Sequence, residues 1–76
     1  MNRSELVAKT LRAAESERLS LLSEGYVELS RRVDGDSEKW QFVHAHNERT
    51  IYLQVWPNAG VIQLYRPRRI LKEIVL

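Results

Sequence analysis

The chain has 76 residues, 43% hydrophobic and 29% charged, with no cysteine and a formal net charge of +2. That length suits one domain with a thin core, the composition excludes a disordered chain, and the missing cysteines exclude disulfides. No stretch approaches the roughly 20 apolar residues of a membrane-spanning helix, and no apolar run precedes Asn2-Arg3-Ser4, so the expectation is a cytoplasmic protein with no leader and no membrane contact.

Residues 4–23 are predicted to form one amphipathic helix. Asn2 or Ser4 can serve as its N-cap, and Asn2 with Glu5 has capping-box spacing. Val7, Leu11, Ala14, Leu21 and Leu22 fall along one stripe at helical spacing, interrupted by Arg18, whose aliphatic stem can lie over a sheet edge while its guanidinium reaches water. Gly25 supplies a left-handed residue to end the helix.

Strands are predicted over 26–33, 39–46, 49–56 and 61–66. Asp34-Gly35-Asp36-Ser37, Asn47-Glu48 and Pro57-Asn58-Ala59-Gly60 mark the turns between them, and Pro67 ends the last, because proline cannot donate to a ladder. Short turns between consecutive strands imply an antiparallel meander. The tail, 68–76, suits either a short helix (Ile70, Leu71, Ile74, Val75) or a further strand (Ile70, Ile74, Leu76). An apolar terminus has to dock on its own sheet or on a neighbour's. The fold class expected is therefore α+β, one helix on one face of a four-stranded antiparallel meander with a short C-terminal helix or strand.

Side chains alternate between the two faces of a strand, and all six aromatic residues lie on the parity opposite the aliphatic ones. Val27, Leu29, Val33, Val43, Ala45, Ile51, Leu53, Val55, Ile62 and Leu64 are thus expected to meet the helix as the core. Tyr26, Trp40, Phe42, Tyr52, Trp56 and Tyr65 are expected on the opposite face, mixed with Glu28, Ser30, Arg32, His44, His46, Gln54 and Gln63. Tyr, Trp and Arg are enriched at interface hot spots, which makes Tyr26, Arg32, Trp40, Phe42, His44, Tyr52, Trp56 and Tyr65 the candidate binding surface.

Three uses of that surface compete. Aromatic residues can simply stack across strands beneath the apolar tail. The face can be a protein interface, most simply that of a two-fold homodimer; a domain this small without disulfides often gains stability by oligomerising. Or the rings can stack bases of single-stranded nucleic acid while arginines meet phosphates. Charge bears on the last reading: residues 1–38 carry eight acids and six bases (−2), residues 39–76 two acids and six bases (+4). Arg66, Arg68, Arg69 and Lys72 form a basic patch, although such clusters are also common on inert solvated edges.

Catalytic chemistry has little to stand on. His44 and His46, two apart on a strand, would share a face as two metal ligands, but a third would have to come from Glu28 or Glu48, so no metal or other cofactor is expected. Ser30 has no orienting acid beyond Glu28 and no glycine-rich oxyanion loop. The order helix, strands, tail superficially resembles double-stranded-RNA-binding domains, whose lysine-rich second helix has no counterpart in Arg68-Arg69-Ile70-Leu71-Lys72. Trp40-Gln41-Phe42-Val43-His44 is similar to one strand of cyanobacterial excision-control proteins and carries no functional motif. The reading that emerges is a non-enzymatic module that self-associates or binds a protein partner through the aromatic face and apolar tail, with single-stranded nucleic-acid binding as the alternative.

Overall fold

The structure, a computed structural model, describes residues 2–76 and has one helix followed by five strands: α1 (Arg3–Ser23), β1 (Tyr26–Asp34), β2 (Ser37–His44), β3 (Thr50–Trp56), β4 (Val61–Arg66) and β5 (Arg69–Val75). The strands pair antiparallel in the order β1-β2-β3-β4-β5. The tail is therefore a fifth strand, not a helix. After Pro67-Arg68, the pairing of Arg66 with Arg69 folds it straight back along β4. Among the described residues no helix is long and apolar enough to cross a membrane.

α1 begins as its sequence dictates. The Glu5 backbone N–H, otherwise an orphaned helix-terminal donor, donates to Asn2 Oδ1 at 2.8 Å, and the Asn2 side-chain amide donates in turn to Glu5 Oε1 at 3.2 Å. At the other end the Glu24 N–H reaches the Ser20 and Leu21 carbonyls, and Gly25 turns the chain at φ +94°. A Cβ there would also stand 3.1 Å from His44 Nε2.

The buried face of α1 runs through Thr10, Ala14 and Leu21, flanked by half-buried Leu6, Val7, Ala13, Glu17 and Arg18. This stripe is rotated from the expected one, leaving Leu11 and Leu22 exposed. The small residues Thr10 and Ala14 let the helix approach the sheet, and the Thr10 hydroxyl satisfies itself on the Leu6 carbonyl at 2.7 Å. The N-terminal half of the helix closes on the β3–β4 turn. Gly60 has φ +68°, and a Cβ there would lie 2.7 Å from Leu6 Cδ1.

The largest departure from expectation is the side β2 presents to the helix. Trp40 and Phe42 lie in the core with Ala14, Leu21, Ile51, Leu53, Val55, Ile62 and Leu64. Phe42 is 0% and Trp40 7% exposed. Register explains it: Trp40 faces Leu53 and Phe42 faces Ile51 across the β2–β3 ladder, and directly opposed residues share a face. Burying an indole and a phenyl removes far more apolar area from water than burying Val43 and Ala45 would. Val43 is only half-buried, on the open face, and Ala45 falls in the turn after β2.

β1 departs too. Val27, Leu29 and Val33, expected in the core, are 51%, 59% and 75% exposed. β1 is an edge strand with a bulge at Leu29: Glu28 pairs with Phe42 and Ser30 with Gln41. One extra residue inverts the alternation. Tyr26, Glu28, Arg31 and Val33 therefore share the helix side, while Val27, Ser30 and Arg32 share the open side. A second bulge at Leu71 does the same to β5.

Urea unfolding separates the two assignments of the core. Phe42→Ala should cost about 3–5 kcal/mol, as for a large aromatic truncated in a packed interior. Leu29→Ala should stay within about 0.5 kcal/mol of the parent, as for an exposed position. The reverse order of midpoints would restore the aliphatic face to the helix.

Candidate functional site

The open face of the sheet, opposite α1, holds the best-organised polar and aromatic cluster. Tyr52 and Tyr65 are cross-strand neighbours and stack with ring centroids 5.2 Å apart at 26°. The Lys39 ammonium sits 4.6 Å from the Tyr52 ring centroid and 5.4 Å from that of Tyr65, within reach of cation–π attraction. A relay of hydrogen bonds fixes the stack. The Tyr65 hydroxyl donates to Gln54 Oε1 at 2.8 Å, Gln54 Nε2 donates to Ser37 Oγ at 2.9 Å, and Ser37 Oγ donates to the Asp34 carbonyl at 2.8 Å. Ser37 is buried by this network, which ties the first turn to β4 across two intervening strands.

Beside the stack, Ser30, Arg32, Lys39, Gln41 and Tyr52 line a shallow pocket of about 160 Å³. Arg32 and Lys39 stand directly opposite each other on β1 and β2.

The structure brings Arg32, Tyr52, Trp56 and Tyr65 to the open face and removes the other expected members from it. Trp40 and Phe42 are core residues. Tyr26 and His44 pack edge to face, 5.0 Å apart at 88°, on the helix side near the start of β1. His44 Nε2 lies 3.1 Å from the Glu24 carbonyl, and its Nδ1 accepts from the His46 N–H at 3.2 Å. Both ring nitrogens are thus engaged by backbone groups. β2 ends at His44, so His46 lies in the following turn and does not share a strand face with it. Among the described residues no group of three His, Cys, Asp or Glu could hold a metal ion.

The expected basic patch is divided. Arg66 is drawn inward, donating to the Thr50 carbonyl at 3.0 Å and to the Tyr26 hydroxyl at 3.1 Å. Lys72 pairs with Glu17 of α1 at 2.7 Å. Arg68 lies in the β4–β5 turn and Arg69 opens β5, both exposed.

A second concavity, about 490 Å³, lies between α1 and β1, lined by Leu11, Ala14, Glu15, Arg18, Glu28, Arg31, Glu38 and Trp40. Its charges are paired: Arg18 with Glu15 and, at 3.6 Å, with Glu28, and Arg31 with Glu38 at 2.9 Å. The Arg31 guanidinium also lies 5.2 Å from the Trp40 ring. The bond from Arg18 holds the Glu15 carboxyl below the usual carboxylate range, and the same bond raises the Arg18 guanidinium. This groove is a self-satisfied lattice of ion pairs over a buried indole.

Residue type and patterning do not single out Lys39, Gln41 and Ser37, yet a signal for them exists. A two-residue connection at Gly35-Asp36 makes Arg32 oppose Lys39 by simple counting. Starting the second strand at residue 39 conceals that pair.

Because the Glu15 carboxyl titrates lower in the folded than in the unfolded chain, its contribution is present above the ordinary carboxylate pKa and lost as pH falls through the folded value. Melting curves of the parent and Glu15→Gln should therefore differ slightly at pH 6 and converge as pH drops below about 4. The gap should be small, since an exposed ion pair stabilises little.

Compared with protein-family models, with curated proteins and with solved structures, the chain has no match.

Proposed function

We propose that this chain is a non-enzymatic assembly module that joins a second copy of itself along β5 and the apolar terminus that follows it. The observation that carries the reading is the distribution of exposed apolar side chains. Val27, Leu29 and Val33 lie on β1, and Ile70, Leu71, Val75 and Leu76 lie on β5 or just past it. These are the two strands with a ladder partner on one side only. An edge strand bearing exposed apolar residues is a template for pairing with another chain.

β5 is better suited than β1. The regular part of β1, Ser30–Asp34, carries Arg31, Arg32 and Asp34, and its helix side is occupied by the Glu28 and Arg31 ion pairs. In β5 the bulge falls at Leu71, leaving Lys72–Val75 as a regular stretch, and the Leu76 N–H is anchored to the Gly60 carbonyl at 2.8 Å. A two-fold axis perpendicular to the sheet would pair two such stretches antiparallel and continue the two sheets as one. Four ladder residues bury little area alone, so Ile70, Leu71, Val75 and Leu76 supply the apolar contact. The charged, ion-paired β1 edge discourages further addition, which favours a closed pair over a filament.

Sedimentation velocity at tens of micromolar should give a dimer for the parent. Val75→Lys should give a monomer whose unfolding free energy, measured at high dilution where the parent is also monomeric, changes by no more than about 0.5 kcal/mol. Val33→Lys, on the other edge, should leave the dimer intact. A parent chain that stays monomeric removes the reading.

A further inference from the structure

We infer that the pocket between Arg32 and Lys39 on the open face is a binding site for a phosphate-sized oxyanion. The case begins with an unfavourable arrangement. Arg32 and Lys39 are directly opposed across the β1–β2 ladder and on the same face, where like charges destabilise a sheet. Three cations elsewhere, Arg18, Arg31 and Lys72, each meet a carboxylate. Among the described residues neither Arg32 nor Lys39 has a carboxylate within 4.0 Å. Lys39 is half-buried, and its ammonium is held by the Tyr52 and Tyr65 rings. Ring faces do not satisfy its N–H donors.

The rest of the lining is chemically consistent. Ser30 and Tyr52 offer hydroxyls and Gln41 an amide, and no carboxylate lines the pocket. Donors come from three adjacent strands, so they surround a point instead of lying along a line. A tetrahedral oxyanion accepts hydrogen bonds from several directions at once, and the Arg fork with a Lys point charge is the usual cationic pair for phosphate. A volume of about 160 Å³ holds one such group with a little water. A bound anion would turn the Arg32–Lys39 repulsion into two attractions. The phosphate can be free or can belong to the backbone of a single-stranded nucleic acid whose neighbouring base meets Trp56, on the same face further along β3.

The test is an NMR titration with inorganic phosphate, sodium chloride being adjusted to keep ionic strength constant so that general screening cannot mimic binding. Saturable shifts at the Ser30, Arg32, Lys39 and Gln41 amides are expected. Arg32→Gln, a change at an exposed position that should leave the spectrum of the folded protein intact, should weaken the affinity about tenfold, the loss of a charge-assisted bond. Lys39→Gln should do the same. Linear, unsaturated shifts, or binding that both variants retain at full strength, would overturn the site. An octadeoxythymidylate that quenches Trp56 and competes with phosphate, less well in Arg32→Gln, supports the site with a nucleic-acid source. Phosphate binding without such competition supports it with a free phosphate. Oligonucleotide binding that Arg32→Gln does not weaken counts against it.

Discussion

The burial of Phe42 and Trp40 between α1 and β3 is the constraint from which the rest of the molecule follows. Once these two rings are sealed against Ala14, Leu21, Ile51 and Leu53, the side of the sheet that the helix covers is settled. Every other residue on β2 is then assigned a face by alternation. Lys39 and Gln41 are sent to the open side, His44 to the helix side, and Glu38 to the groove beside Arg31. Reversing β2 would bury Lys39 instead of Trp40, at the cost of desolvating an ammonium. The core therefore selects the open face by default: whatever it rejects is placed there.

The edges of the sheet follow a different logic. A single helix cannot cover five strands, and α1 contributes small side chains where it crosses the middle of the sheet. The helix-facing residues of β3 and of the central part of β4 are consequently dry, while β1 and β5 remain wet along most of their length. Each outer strand carries a bulge, and each is tied to α1 by ion pairs, Glu28 with Arg18 and Lys72 with Glu17. The apolar residues left on those strands are not a failed core. They lie on the two strands that have a ladder partner on one side only.

Local signals read correctly wherever a single element sufficed. The Asn2–Glu5 cap, Gly25 at the helix end, the meander order and the turns at 34–37 and 57–60 all depend on residues close in the chain. The assignment of faces did not, because alternation says which residues share a side, not which side it is. Leu29 shows why: nothing in Val27-Glu28-Leu29-Ser30 announces an extra residue, and a bulge exists only relative to its partner strand. The same holds for Tyr52 and Tyr65, whose stacking requires the β3–β4 register, and for Lys39 above them.

The sequence by itself determined one helix, consecutive antiparallel strands and the turns between them, because caps, proline, glycine and period-two patterning act over a few residues. Only the tertiary structure decided that Phe42 and Trp40 belong to the core and that Val27, Leu29 and Val33 do not. Those outcomes rest on register between strands. Register is chosen by the total apolar area the sheet and helix can bury together, a quantity no single segment contains.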